Sequence, residues 1–420
     1  MLQVIRLLKE DENQNGCGIS RRELPLLIFW KNNDAKALYD RIVKLRQSFR
    51  YDPSDEVIVD ICIKEIMGGN FKDFKVKSIM DEYPDEFIRK MRMTGLFSMR
   101  GAGRFLDINK NEIERIDYVL SHYARYTHYE DERAYFDYMA KLDPNLINIQ
   151  SKPIDATNSE TLLNEWLNVY PWENIKKELT NLSTKKASSD NVLKLLAAPS
   201  RLEFLTALAI KSKLPQVRVV PNYSCDDTGL PTSTAGGNKG DIECYEHGHG
   251  ILVEVTMAMG RTQTMMEVWP IERHLDDMRK EFDAQCVFVA PDIYSDSKKQ
   301  IEYVFFSSQG EKRIRPYAIV DLISYLERTP VLYDNSLSSL WREPEVANFV
   351  DSLVAMHNGN NILSIITECI KKFGEEYECM EMSDWNRVIR NYIVEKTHQY
   401  DIGDNTPIYY SMAAESACAR

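Results

Sequence analysis

The chain has 420 residues, 28% of them charged and 44% hydrophobic, with a formal charge of -12. That length favours two or three domains over one, and the composition excludes collagen, a long disordered tail and a disulfide miniprotein. The acidic balance excludes a surface that is basic all over, so a nucleic-acid contact needs positive charge concentrated locally.

Apolar runs such as 286–290 fall far short of the roughly 18 residues a membrane helix requires. Residues 1–8 are followed at once by Lys9, Glu10, Asp11 and Glu12, which a secretory hydrophobic region does not tolerate. The expectation is a cytoplasmic chain with no membrane span. Eight cysteines without a CxxC pair read as reduced, mostly buried thiols.

Residues 1–150 read as mostly helical. Ser20, with Glu23 three residues on, forms a capping-box signature for a helix that includes 24–30. The spacing of Leu38, Ile42, Leu45 and Phe49 predicts an amphipathic helix over 35–49, and 57–67 reads as a third. Then comes a helix over 74–81, a turn at Glu82 and Tyr83, and a helix over 84–94 opened by Pro84 and stopped by Gly95. Strands at 96–99 and 104–108 follow, joined by Arg100-Gly101-Ala102-Gly103. Helix, turn, helix and hairpin is the order of a winged helix, whose second helix is the usual DNA reader. From Pro84 to Arg104 the chain carries Arg89, Lys90, Arg92, Arg100 and Arg104 against Asp85 and Glu86, a local reversal of the overall sign. A solvated helix and hairpin fit the same pattern, and the residues alone leave both open.

Residues 150–160, with Pro153, Asp155, Thr157, Asn158 and Ser159, read as a linker. Helices are expected at 162–170, 192–197 and 200–210, with a polar segment after the first. Strands are expected at 217–220, 240–245, 251–256, 285–290 and 301–306, with helices at 263–282 and 318–327. That layout is α/β. Residues 331–420 return to helical patterns, at 345–356 and 362–373, and carry no recognisable chemistry.

The densest signal lies between Asn238 and His274. Asp241 opens one expected strand and Glu254 lies on the next, separated by the turn His247-Gly248-His249-Gly250. Such a hairpin can bring both carboxylates to one end of a sheet. Gly236-Gly237-Asn238-Lys239-Gly240 suits a loop that passes close to a ligand. Two carboxylates beside open backbone suit Mg2+, which takes few protein oxygens and keeps several waters. For phosphodiester cleavage such an ion polarises the phosphoryl oxygen and activates water.

These residues carry a resemblance. Gly240-Asp241, a turn and then Val253-Glu254-Val255-Thr256 resembles the PD-(D/E)xK nuclease core, departing from it at Thr256, where Lys is expected. Glu254-Val255-Thr256 with Gln263, Glu267 and His274 is similar to the AlwI-type restriction endonuclease family of type IIS cutters and site-specific nicking enzymes, in which Thr follows the metal-binding Glu. Gln263, Glu267 and His274 share one helical face, although Pro270 is expected to kink or restart the helix between the last two. The resemblance also implies a role for Glu203, within Ser200-Arg201-Leu202-Glu203-Phe204, and likens 87–97 to the family's winged-helix segment. It spans roughly 19–327.

The expected architecture is therefore an α/β restriction-endonuclease-like cleavage domain over 151–330. It follows an N-terminal, mainly helical, winged-helix DNA-recognition domain over 1–150 (winged helix about 74–110) and precedes a helical extension over 331–420. The resemblance implies a Mg2+-dependent endonuclease acting on double-stranded DNA outside its recognition site. Asp241 and Glu254 would hold the metal, with the Val255 carbonyl as a further ligand, and Glu203, Glu267 and His274 would complete the site. Arg89, Lys90, Arg92, Arg100 and Arg104 would grip DNA. Lys239 is a candidate for the scissile phosphate or the place of the missing Lys. One such site cuts one strand, so a double-strand break calls for a second nuclease subunit or a homodimer. The competing readings are a winged-helix regulator with an inactive nuclease-like half, and a structure-specific repair nuclease.

Overall fold

The computed structural model describes residues 1–69, 74–123, 128–141, 143–150, 152, 156–237, 239–308, 311–333, 344–356 and 362–373. The chain divides into two compact units, Met1–Ile242 and Glu243–Arg420.

The first unit opens with α1 (Leu2–Glu10), β1 (Ile19–Ser20), α2 (Leu24–Phe29), α3 (Ala35–Phe49) and α4 (Asp55–Asp60). The helix over α3 forms where the spacing places it: Asp34 caps it by accepting from the Ala37 amide at 2.9 Å, and Leu38, Ile42 and Leu45 are buried. Phe49 at its end is 43% exposed. The capping box is only half formed. Glu23 accepts from the Ser20 amide at 2.7 Å, but the Ser20 hydroxyl makes no bond among the described residues and α2 starts at Leu24; Glu23 also pairs with Arg46. The two make a buried, two-pronged ion pair, Nε to Oε1 at 2.7 Å and Nη2 to Oε2 at 2.8 Å, which ties α2 to α3.

After α4 the chain continues as a π-helical turn, Ile61–Ile66. A second π-helical turn, Ser78–Glu82, runs directly into α5 (Tyr83–Met93). The turn expected at Glu82 and Tyr83 is not formed. Proline is tolerated in the first turn of a helix, and the wider π winding ahead of Pro84 lets the chain pass it without a break. The hairpin appears as expected: β2 (Phe97–Arg100) pairs antiparallel with β3 (Phe105–Ile108), across Gly101, Ala102 and Gly103, all at positive φ. β1 pairs with the other edge of β3, giving the order β1-β3-β2.

Then come α6 (Ile113–His122), α7 (Glu132–Met139), α8 (Pro144–Asn148), α9 (Ala156–Val169), α10 (Trp172–Ser183) and α11 (Ala198–Lys213). Of the expected linker, Pro153 and Asp155 lie outside the described residues, while Thr157, Asn158 and Ser159 begin α9, where short polar side chains suit a helix start. The polar segment after α9 is helical as α10, which buries Ile175, Leu179 and Leu182. The 192–197 helix shrinks to a 3-10 turn, Leu193–Leu195. Every residue from Ser200 to Lys211 in α11 is buried, among them the charged Arg201, Glu203 and Lys211. Strands β4 (Arg218–Pro221), β5 (Tyr223–Cys225) and β6 (Pro231–Ala235) follow. β5 and β6, an antiparallel pair, are too short and polar to read from periodicity.

The second unit is α/β. It contains β7 (Ile242–Glu246), which starts at the unit boundary, then β8 (His249–Val255), α12 (Arg261–Met266), α13 (Val268–Arg279), β9 (Ala284–Ala290), α14 (Ser295–Ser307), β10 (Ile314–Ala318), α15 (Ile319–Arg328), α16 (Pro344–Met356) and α17 (Ile362–Phe373). The strands lie in the order β10-β9-β8-β7, with β8, β9 and β10 parallel. Burial on both faces suits a parallel sheet, and every residue of β9 is buried. Leu252, Val268, Ile271, Leu275, Phe288 and Val304 share one core.

Two expectations here are corrected. Residues 301–306 form part of α14 instead of a strand: Ile301, Val304 and Phe305 are buried at i, i+3 and i+4, the helical period that a β-branched and aromatic run conceals. The helical interruption falls at Glu267 instead of Pro270, which places the proline in the first turn of α13, where its missing N–H has no bond to lose. Among the described residues no helix is long and apolar enough to cross a membrane.

Candidate active site

In the second unit a tight turn at His247 and Gly248, with φ of 50° and 85°, sends the chain from β7 into β8. Glu254 is the penultimate residue of β8, paired in register with Phe288 of β9, so a carboxylate is held at the strand's C-terminal end with apolar residues on either side. Its residue exposure is 7%. His274, on α13, reaches back so that Nδ1 lies 2.8 Å from Oε1 of Glu254. The two are brought together because Leu275 and Ile271 anchor α13 in the core beside Leu252.

Glu267 occupies the junction of α12 and α13. Its Oε1 accepts from the Thr256 hydroxyl at 2.9 Å, and that hydroxyl in turn accepts from the Ala258 amide at 3.0 Å. Burial pushes the Glu267 carboxyl up from its ordinary value, the Thr256 hydrogen bond opposes this, and the negative charge of Glu254 adds to the rise. Glu254 and Glu267 are thus two partly buried carboxylates within electrostatic reach of each other. Gln263, on the helical face the family pattern shares with Glu267 and His274, is a structural tether: wholly buried, it donates to the carbonyls of Ala258 and Asp292 and accepts from the Tyr294 amide. The Val255 carbonyl belongs to the last residue of β8. His249 stacks on Tyr333 with ring centroids 3.9 Å apart, a packing role.

In the first unit Asp241 directly precedes β7. Its carbonyl accepts from the Asn222 amide at 2.9 Å, and the Asn222 side chain donates to the Gly240 carbonyl at 2.8 Å. A Cβ at Gly236 or Gly237 would meet nothing within 4 Å, so that loop is open; Asn238 lies outside the described residues. Glu203 is 3% exposed, and its Oε2 accepts from the Ala235 amide at 3.1 Å. It is not the solvated surface glutamate that a helical Glu usually is.

The expected DNA contacts divide sharply. Arg92 is 3% exposed, and its Nη2 donates to the carbonyls of Leu230 and Pro231 at 3.2 and 2.7 Å, with Asp226 at 3.3 Å. It packs the interior, turned inward by the apolar phase of α5. Arg89 donates to the Lys194 carbonyl, Arg100 pairs with Asp227, and Arg104 lies over the rings of Tyr51 and Phe105. Lys90 is exposed and pairs only with its helical neighbour Glu86 among the described residues.

Among the described residues no group of three or more His, Cys, Asp or Glu forms a metal cage. Mg2+ does not demand one, since it is commonly held through one or two carboxylates and water. The all-oxygen carboxylate chemistry of this donor set, with a histidine behind one of them, fits such an ion.

An α/β unit with three parallel strands and Glu254 at the C-terminal end of β8 agrees with a restriction-endonuclease-like fold. Residues 144–324 match the AlwI restriction endonuclease family. The chain is also similar to a solved structure, the small subunit of the heterodimeric restriction endonuclease R.BspD6I, with 19% identity over 41% of this chain and 88% of that one and a TM-score of 0.31. No curated protein matches the chain. Restriction endonucleases hydrolyse DNA and generally use divalent metal ions.

Proposed function

We propose that this chain is a Mg2+-dependent, sequence-specific DNA endonuclease of type IIS or nicking character, which hydrolyses phosphodiester bonds outside its recognition site. The observation that carries this reading is the contact of His274 with Glu254, beside the Thr256–Glu267 pair, inside the segment matched to the family.

In this reading Asp241 and Glu254 hold the metal, with the Val255 carbonyl as a further ligand. The two-residue turn at His247 and Gly248 supports the pairing of the two carboxylates: a hairpin register that sets Glu246 opposite His249 also sets Asp241 opposite Glu254 when followed along the strands. When bound, the ion polarises the phosphoryl oxygen and lowers the pKa of the attacking water. The chain's own residues do the rest. His274 fixes the orientation of the Glu254 carboxylate. Glu267, held by Thr256, serves in this reading as the base or water-positioning group, and Glu203 fastens the Gly-rich loop through the Ala235 amide. Thr256, at the position of the usual Lys, donates instead to the Glu267 carboxylate.

Residues 1–150 supply recognition and 151–330 cleavage; of the helical extension expected over 331–420, residues 334–343, 357–361 and 374–420 lie outside the described residues. The order β1-β3-β2, with α5 leading into the hairpin, supports a winged-helix reader in which Arg89, Lys90, Arg100 and Arg104 face DNA and Arg92 anchors the helix that carries them. Double-stranded DNA is the substrate, and a second nuclease subunit or homodimer completes a double-strand break. Run-off sequencing of cleaved plasmid tests the proposal: cuts at a constant offset from one short sequence support it, and cutting governed by junctions or lesions contradicts it.

A further inference from the structure

The first unit holds a cleft of about 590 Å³ to which the assignments above give no ligand. One wall is the end of α5, with Met93, and the segment after the hairpin, with Asn111 and Arg115. Another is the stretch around β5 and β6, with Asn222 and Ser233. Lys152 and Lys239 also line it, and both side chains are exposed. The Lys152 amide donates to the Asn111 carbonyl at 3.1 Å, which pins that lysine beside the cleft. Arg115 is already committed to Glu112 and to the Ile149 carbonyl, so Glu112, the acidic residue lining the cleft, is neutralised within its own wall. Asn222 is also the residue whose amide and side chain hold the backbone of Asp241 and Gly240.

A cleft with two lysines, neutral amide and hydroxyl donors and an internally balanced acid beside apolar walls at Leu162, Leu163 and Pro221, in a chain of -12, suits an anion with both polar and apolar parts, such as a sugar–phosphate backbone. We propose that it receives the sugar–phosphate backbone of the DNA strand between the reader and Asp241, with Lys152 and Lys239 each neutralising one phosphate. This rests on the nuclease reading and names a binding path for its substrate. It also gives Lys239 a phosphate-gripping role in place of a catalytic one. Backbone contacts of this kind set position and salt dependence without reading sequence.

The test is fluorescence anisotropy of a labelled mixed-sequence duplex with the full chain in EDTA, where no cleavage occurs, over a series of salt concentrations. For the double variant Lys152→Ala/Lys239→Ala the slope of log K against log[salt] is expected to shrink by about 1.8, the value for two phosphate contacts on B-form DNA. Lys152→Arg/Lys239→Arg should restore it. Lys298→Ala/Lys299→Ala, on the exposed face of α14, should leave it unchanged. An unchanged slope in the first variant overturns the cleft while leaving the nuclease reading intact. An equal loss in the α14 control also overturns it, as bulk electrostatics. A chain that binds no duplex in any salt overturns both.

Discussion

His274 on α13 and Glu254 on β8 meet at 2.8 Å, Nδ1 to Oε1, with side-chain exposures of 13% and 9%. A carboxylate at the end of a parallel strand is free to rotate unless something fixes it, and here an imidazole anchored by the core beneath α13 does so. A histidine behind a metal-binding carboxylate acts on metal affinity. His274→Ala is therefore expected to raise the Mg2+ concentration for half-maximal cleavage by about 10- to 100-fold, read from plasmid cleavage rates across a Mg2+ titration. An unaltered titration curve removes His274 from the site.

Thr256 stands behind Glu267 in a comparable way. In Thr256→Val the Glu267 carboxylate keeps its burial and loses its hydroxyl donor, an imbalance that costs about 1–3 kcal/mol. Because that hydrogen bond opposes the effect of burial, its loss also moves the Glu267 carboxyl further upward. Denaturant unfolding measures the first effect, and Thr256→Ser, which keeps the hydroxyl, should recover most of it.

Arg92 and Lys90 lie two residues apart on α5 and should behave oppositely. Arg92→Ala leaves Asp226 buried without its cation and is expected to cost about 3–5 kcal/mol. Lys90→Ala should change stability by no more than about 0.5 kcal/mol while weakening DNA binding. Unfolding and anisotropy measurements on the same two variants separate the structural residue from the surface one.

Gly18 packs against the backbone of β3, and a Cβ there would collide with the Leu106 carbonyl, whereas one at Gly236 would meet nothing. Gly18→Ala is expected to destabilise by about 1–3 kcal/mol and Gly236→Ala to be close to neutral, as measured by the midpoints of thermal unfolding.

What could be read in the sequence followed periodicity and local chemistry. Leu38, Ile42 and Leu45 placed α3 because one buried face at helical spacing has few alternatives, and the hairpin around Gly101-Ala102-Gly103 was visible because its turn needs positive φ. The carboxylates Asp241 and Glu254 stood out by type and spacing, and Glu267 through the family resemblance. The inward turn of Arg92 did not, since its partners Asp226, Leu230 and Pro231 are distant in the chain, and charge alone says nothing of which face of a helix is covered. Residues 301–306 were misread because Ile, Val and Phe favour strands locally while their i, i+3, i+4 burial is decided by the sheet they pack on. The tethering of Gln263 was likewise hidden, because its partners at Ala258, Asp292 and Tyr294 are brought near only by folding.

The central claim is that carboxylates at positions 241 and 254 gather one divalent ion for DNA hydrolysis, and supercoiled plasmid incubated with the purified chain in Mg2+ or in EDTA tests it most directly. The account predicts nicked or linear product in Mg2+, none in EDTA, and a loss of at least about 100-fold in Asp241→Asn and in Glu254→Gln. Product that persists in EDTA, or undiminished cleavage by both variants, would contradict it.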